Sequence, residues 1–89
     1  MAATWYVYMV RCADDSLYTG IATDVARRIE EHNTNDCLAA KYTRARRPVR
    51  LVYQEPCATR AQAGCREYAL KRLRKPAKEA LVTRIGIER

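Results

Sequence analysis

Eighty-nine residues, 48% of them apolar and 30% charged, suffice for one modest core, so a single domain over 1–89 is the expectation. Seventeen Lys and Arg against ten acids give a net charge of +7 and a pI near 9.6, which points to a polyanionic partner, with nucleic acid ahead of an acidic membrane. No window approaches the ~18 apolar residues of a membrane span, no basic start leads into a long apolar run, and the cysteines show neither a CxxC pair nor finger-spaced His; a membrane helix and a zinc finger are set aside, and a cytoplasmic protein with free thiols is expected.

The chain opens on Trp5-Tyr6-Val7-Tyr8-Met9-Val10-Arg11 and, after Ala13-Asp14-Asp15-Ser16, continues as Leu17-Tyr18-Thr19-Gly20. Apolar and aromatic residues in both arms, with turn-formers between them, predict a β-hairpin. Tyr6, Tyr8 and Tyr18 lie in it, and a buried phenol wants either a hydrogen-bond partner or a substrate.

Asp24 is a predicted N-cap for a helix over 25–32. Val25, Ile29 and His32 recur at i, i+4 and i+7 and form its buried face. By the same phase Arg27 points into solvent, whereas Arg28 lies on the flank beside His32.

Residues 33–36 end the helix in polar turn-formers, and 37–47 shows no period. Lys41, Arg44, Arg46 and Arg47 occur there without an acid and surround Tyr42, as a phosphate-contacting and base-stacking loop would require; a solvated charge run is the plainer account. A third strand is predicted over 49–54, closed by Glu55-Pro56. Thr59 caps a predicted helix over 60–74, in which Ala61, Cys65, Tyr68 and Ala69 make one apolar face and Ala63 and Leu70 another. Pro76 suits the first turn of a last helix over 77–85. The order β-β-α-β-α-α is that of an α+β domain, a three-stranded, mainly antiparallel sheet flanked by helices.

No P-loop, dinucleotide turn, nucleophile elbow or paired-His motif is present. What remains is scattered: Tyr6, Tyr8, Tyr18, Arg28, His32 and Glu67. Each has an ordinary structural explanation, and Glu67 has Lys71 at i+4 for a surface ion pair. Together they are what phosphodiester hydrolysis needs. One carboxylate can hold a Mg²⁺ or Mn²⁺ ion that keeps sites for water and phosphate; an Arg adds a fork of donors; a phenol or imidazole can orient or deprotonate water.

The set resembles the GIY-YIG nuclease superfamily. Tyr6-Val7-Tyr8 stands where the first tripeptide of that family would be, with Tyr18-Thr19-Gly20 ten residues on, Arg28 ten further, His32 four later and Glu67 on a helix. The Trp5-Tyr6-Val7-Tyr8 opening and Lys41-Tyr42-Thr43-Arg44 look closest to the small stand-alone bacterial YhbQ-like group. The resemblance implies metal-dependent cleavage of nucleic acid, DNA ahead of RNA. It assigns water activation to Tyr8, a place in the site to Tyr18 and Tyr6, the scissile phosphate to Arg28, assistance to His32 and one Mg²⁺ or Mn²⁺ to Glu67. The chain departs from the family pattern at Tyr6 and Thr19, has Ile21 where some repair-type members carry Lys, and has no Asn after Glu67. The alternative from another class is a nucleic-acid-binding module of the same fold with little or no cleavage. A separate protein partner supplying specificity fits the absence of an appended domain.

A shared site for Tyr8 and Tyr18 demands one face for both side chains. Tyr18 must then pair opposite a residue of Tyr8's parity, such as Val10, which requires an odd-length loop of three or five residues or a bulge within 12–16.

Overall fold

A computed structural model describes residues 3–85. The elements are β1 (Trp5–Arg11), β2 (Leu17–Ala22), α1 (Val25–Thr34), a short α2 (Lys41–Arg44), β3 (Arg50–Cys57), α3 (Arg60–Lys71) and α4 (Lys75–Ile85). The sheet is antiparallel throughout, with order β2-β1-β3. None of the helices among the described residues is long and apolar enough to cross a membrane, and Cys12, Cys37, Cys57 and Cys65 are all free thiols.

The hairpin has the odd-length connection that a shared face requires. Tyr18 pairs with Val10 and Gly20 with Tyr8. Cys12 and Ser16 close the strands through an N–H···O bond of 2.8 Å, leaving the three-residue loop Ala13-Asp14-Asp15. Asp15 N–H bonds back to Cys12 O at 2.9 Å, and Asp15 itself takes the left-handed conformation at φ 70°. A turn followed by one left-handed residue is a common three-residue hairpin loop, and Asp tolerates that position better than most side chains.

Alternation along β1 sends its side chains to two opposite cores. Val7 and Met9 join Val52, Tyr53, Leu70 and Val82 on the face that receives α3 and α4. Tyr8 and Val10 join Cys12, Val25 and Val49, with Tyr6, Tyr18 and Ile29 packed alongside, on the face that receives α1. A one-residue shift in the β1–β3 register leaves Val52 without an opposite number between Leu51 and Tyr53; such a bulge lets adjacent Val52 and Tyr53 both serve the first core.

Both predicted caps form. Asp24 accepts from Arg27 N–H, and Thr59 accepts from Gln62 N–H, each at 3.1 Å. Other expectations need correction. The stretch 37–47 contains helix α2, although its four residues are too few to register as a period. β3 continues through Pro56 to Cys57, because it is an edge strand where a missing N–H is tolerated. α3 ends at Lys71, three residues early, and α4 begins at Lys75. The buried side of α3 is Ala63 and Leu70, whereas Ala61, Cys65, Tyr68 and Ala69 are exposed. One leucine with a close-packed alanine buries its apolar area where two alanines and a cysteine have little to contribute, and Tyr68 beside them stays 62% exposed.

Candidate active site

Tyr8 stands at the middle of the central strand, with its ring laid across Gly20 of β2. A Cβ at position 20 would lie 2.5 Å from the Tyr8 hydroxyl and 2.7 Å from Cζ, so the glycine is required by close approach of the ring. The phenol then meets His32 from α1, Oη to Nε2 at 2.8 Å. His32 is wholly buried, and its other nitrogen, Nδ1, lies 2.8 Å from the Thr43 hydroxyl of α2. Thr43 in turn donates to Ala40 O at 3.0 Å. Behind the ring, Arg47 Nε donates to His32 O at 2.7 Å, and the Asn33 side chain makes a two-way pair with the Val49 backbone that ties α1 to the start of β3.

Around this buried chain sit the other candidates. Tyr18 approaches His32 edge-on, with centroids 5.5 Å apart, and stacks on Tyr42 at 5.8 Å. Arg28 is half-buried, donates to Glu31 at 3.0 Å and to Leu38 O at 2.8 Å, and acts electrostatically on Tyr8. Arg27 is 75% exposed, as the helical phase predicts. An open groove lined by Trp5, Ile21, Asp24 and Arg27 runs up to Arg28. Glu67 reaches the region from α3, its charge felt at Tyr8 and its carboxylate 3.3 Å from Lys71 Nζ. Tyr6 lies on Tyr8's face, opposite Ala22, and packs into the same cluster.

Burial pushes the Tyr8 phenol up to about 12, against the pull of the Arg28 guanidinium, with Tyr18 and Glu67 adding to the rise. Burial likewise drives His32 down to about 4, helped by the positive charges of Arg28 and Arg47 and opposed by Glu31. At neutral pH the pair is therefore a neutral phenol against a neutral imidazole.

The chain matches the GIY-YIG catalytic domain over residues 4–80. It belongs to the GIY-YIG family. It is 56% identical over 78 residues to the UPF0213 protein DP2720 of Desulfotalea psychrophila, covering 88% of this chain and 70% of that one. It is 49% identical over 77 residues to the UPF0213 protein SAV0488 of Staphylococcus aureus, covering 86% and 92%. Among solved structures it resembles the UPF0213 protein BH0048 of Bacillus halodurans, at 43% identity and a TM-score of 0.60 over 94% of this chain and 87% of that chain. Protein EF2693 of E. faecalis gives 39% identity and the same score over 92% and 86%.

Within this GIY-YIG chain, Tyr8, Tyr18, Arg28 and His32 converge, with Glu67 close enough for its charge to act. In the basic loop Lys41, Tyr42 and Arg44 are exposed, and Arg46 and Arg47 are half-buried. Arg47 is pinned to His32 O and Asp36, and Arg46 bonds Asp14 and lies 3.8 Å over the Tyr42 ring, so both hold the loop in place, as does Arg44 through Asp36 O. Tyr42, with Arg46 and Tyr18 against it, is engaged within the protein. Two residues that shape the site escaped the sequence reading: Gly20 as the seat of Tyr8, and Thr43. The first had a signal, an interior strand glycine; Thr43 stood in the Lys41-Tyr42-Thr43-Arg44 segment of the resemblance, but no period there pointed its side chain at His32.

Proposed function

We propose that the chain is a divalent-metal-dependent endonuclease that hydrolyses phosphodiester bonds in DNA, with branched, single-stranded and damaged DNA as its candidate substrates. The observation that carries the reading is the 2.8 Å bond from Tyr8 to His32 beside Arg28. Tyr8 takes a proton from the attacking water as its own passes to His32 Nε2, so a phenol of high pKa works as a base without persisting as phenolate. Arg28 gives its guanidinium to the scissile phosphate, with Tyr18 and Tyr6 shaping the approach. Lys41 and Arg44, exposed on α2, add counterion-releasing phosphate contacts.

Glu67 would hold the ion. Among the described residues no group of three or more His, Cys, Asp or Glu could cage a metal, and a single carboxylate fits Mg²⁺ or Mn²⁺, which keep waters and accept phosphate oxygens. When bound, such an ion neutralises charge on the phosphate and the leaving oxygen. A second reading, a binding module with little or no cleavage, is favoured by two observations: Lys71 occupies Glu67, and Tyr8 is 1% exposed, so phosphate must displace half-buried neighbours to reach it.

The test incubates purified protein with supercoiled, single-stranded and branched DNA and with RNA, in Mg²⁺, Mn²⁺ or EDTA, alongside Glu67→Ala. Nicking that requires metal and disappears in the variant is the expected result. Nicking that persists in the variant would overturn Glu67 as the ligand, and salt-dependent binding without nicking would favour the second reading.

A further inference from the structure

We infer that Thr43 is a positioning residue for the reaction: its hydroxyl fixes the His32 ring in the tautomer that offers Nε2 as an acceptor to Tyr8. This rests on the endonuclease reading. Thr43 is wholly buried, and its hydroxyl has two neighbours, Ala40 O at 3.0 Å and His32 Nδ1 at 2.8 Å. A hydroxyl owns one proton, and a carbonyl can only accept. With that proton on Ala40 O, the Thr43 oxygen must accept from His32, so Nδ1 carries the hydrogen and Nε2 a lone pair. Tyr8 is then the donor across 2.8 Å.

The opposite arrangement fails twice. Were Thr43 to donate to Nδ1, its bond to Ala40 O would be lost, and Nε2–H would force Tyr8 to accept. A phenol held as acceptor has nowhere to send its proton. One hydroxyl therefore sets the direction of the whole chain, Tyr8 to His32 to Thr43 to Ala40.

The hydroxyl is well held. Thr43 sits in α2, its bond to Ala40 O spans i to i−3, and its branched Cβ restricts χ1. Arg47 anchors the His32 carbonyl from behind, so ring and hydroxyl share a fixed frame. In the reaction the water's O–H breaks as a proton joins Tyr8 Oη, the Tyr8 proton joins Nε2, and the imidazolium keeps Nδ1–H on Thr43. The phenol ends neutral, and the proton on His32 later returns to the leaving oxygen or to solvent.

His32 is the only histidine in the chain, so ring ¹⁵N NMR of the full-length protein reads it without interference. The wild type is expected to show protonated Nδ1 and bare Nε2 at neutral pH. Thr43→Ser, which keeps the hydroxyl, should preserve both that pattern and kcat. Thr43→Val, which removes it at nearly constant volume, should lose the pattern and lower kcat for nicking by about tenfold or more with KM for DNA unchanged. Protonated Nε2 in the wild type would overturn the inference without needing any variant to fold. So would wild-type kcat in Thr43→Val, or a loss in Thr43→Ser equal to that in Thr43→Val, since packing would then be the cause. If the wild type cleaves nothing, the endonuclease reading fails and Thr43 has no reaction to serve, whatever the spectrum shows.

Discussion

Tyr8 and Tyr53 are both buried phenols of one small sheet, but they project into opposite cores. Tyr53 faces the apolar side, where it donates to Glu55 at 2.6 Å, and Glu55 is bonded in turn by Arg66 at 3.0 Å. Burial first, and then the carboxylate acceptor, oppose ionisation, so that phenol is held as a structural donor. Tyr8 faces α1, lies 2.8 Å from the His32 imidazole and has a guanidinium acting on it. The same side chain meets a carboxylate on one face and an imidazole on the other, and the neighbour makes the difference. Both faces carry an apolar cluster, but only the α1 face also buries the polar chain through Tyr8, His32 and Thr43.

The largest expected effect is on that polar chain. Tyr8→Phe should reduce nicking by about 100-fold or more while far-UV circular dichroism stays native, whereas Tyr53→Phe should leave kcat unchanged. Comparable losses in the two variants would erase the distinction between the faces. Gly20→Ala should follow Tyr8→Phe in direction, since the added methyl occupies the space of the Tyr8 ring.

On the apolar face the reverse is expected. Leu70, fully buried among Val7, Met9 and Val52, should cost about 3 kcal/mol when cut to Ala, read by urea unfolding. A cost below about 1 kcal/mol would mean that the face collapses around the gap.

Acid tests the polar side through His32. Its folded pKa, about 4, lies below the ordinary 6.5, so between those values the unfolded chain binds the extra proton and stability rises with pH. The contribution is complete above about pH 6.5 and lost as pH falls toward 4, amounting to at most about 3 kcal/mol. Urea melts at pH 7, 6, 5 and 4.5 should show this slope, and His32→Gln should flatten it. An unchanged slope in the variant would assign the acid sensitivity elsewhere.

The smallest effect probes the polar flaw in the apolar face. Thr19 is 2% exposed, and its Oγ1 has no hydrogen-bond partner among the described residues. Thr19→Val keeps the shape and removes an unsatisfied hydroxyl, so it should stabilise the protein by about 1 kcal/mol and leave cleavage untouched. Destabilisation on thermal melting would show that the hydroxyl has a partner after all.

Much of the site was legible because its logic is local. A helix repeats every 3.6 residues, so Val25 and His32 inward, Arg28 on the flank and Arg27 outward follow from spacing alone. A strand repeats every two, so one shared face required a residue of Tyr8's parity opposite Tyr18, and Val10 is that residue. Of the two apolar faces read on α3, only the one carrying Ala63 and Leu70 is buried, because Leu70 has more apolar area to gain than two alanines, a cysteine or an amphipathic tyrosine.

What the chain determined by itself was therefore periodic and short-range: two caps, a hairpin of odd loop length, a basic surplus, and tyrosines, arginine and histidine at the spacing of the GIY-YIG family. Tertiary structure alone decided that Gly20 seats the Tyr8 ring, that Val52 bulges, that Arg46 and Arg47 brace a loop, and that Thr43 reaches His32. Each of these depends on distances of a few ångströms between segments separated in sequence. Hydrogen bonds and van der Waals contacts are set at that scale, and no period along the chain encodes it.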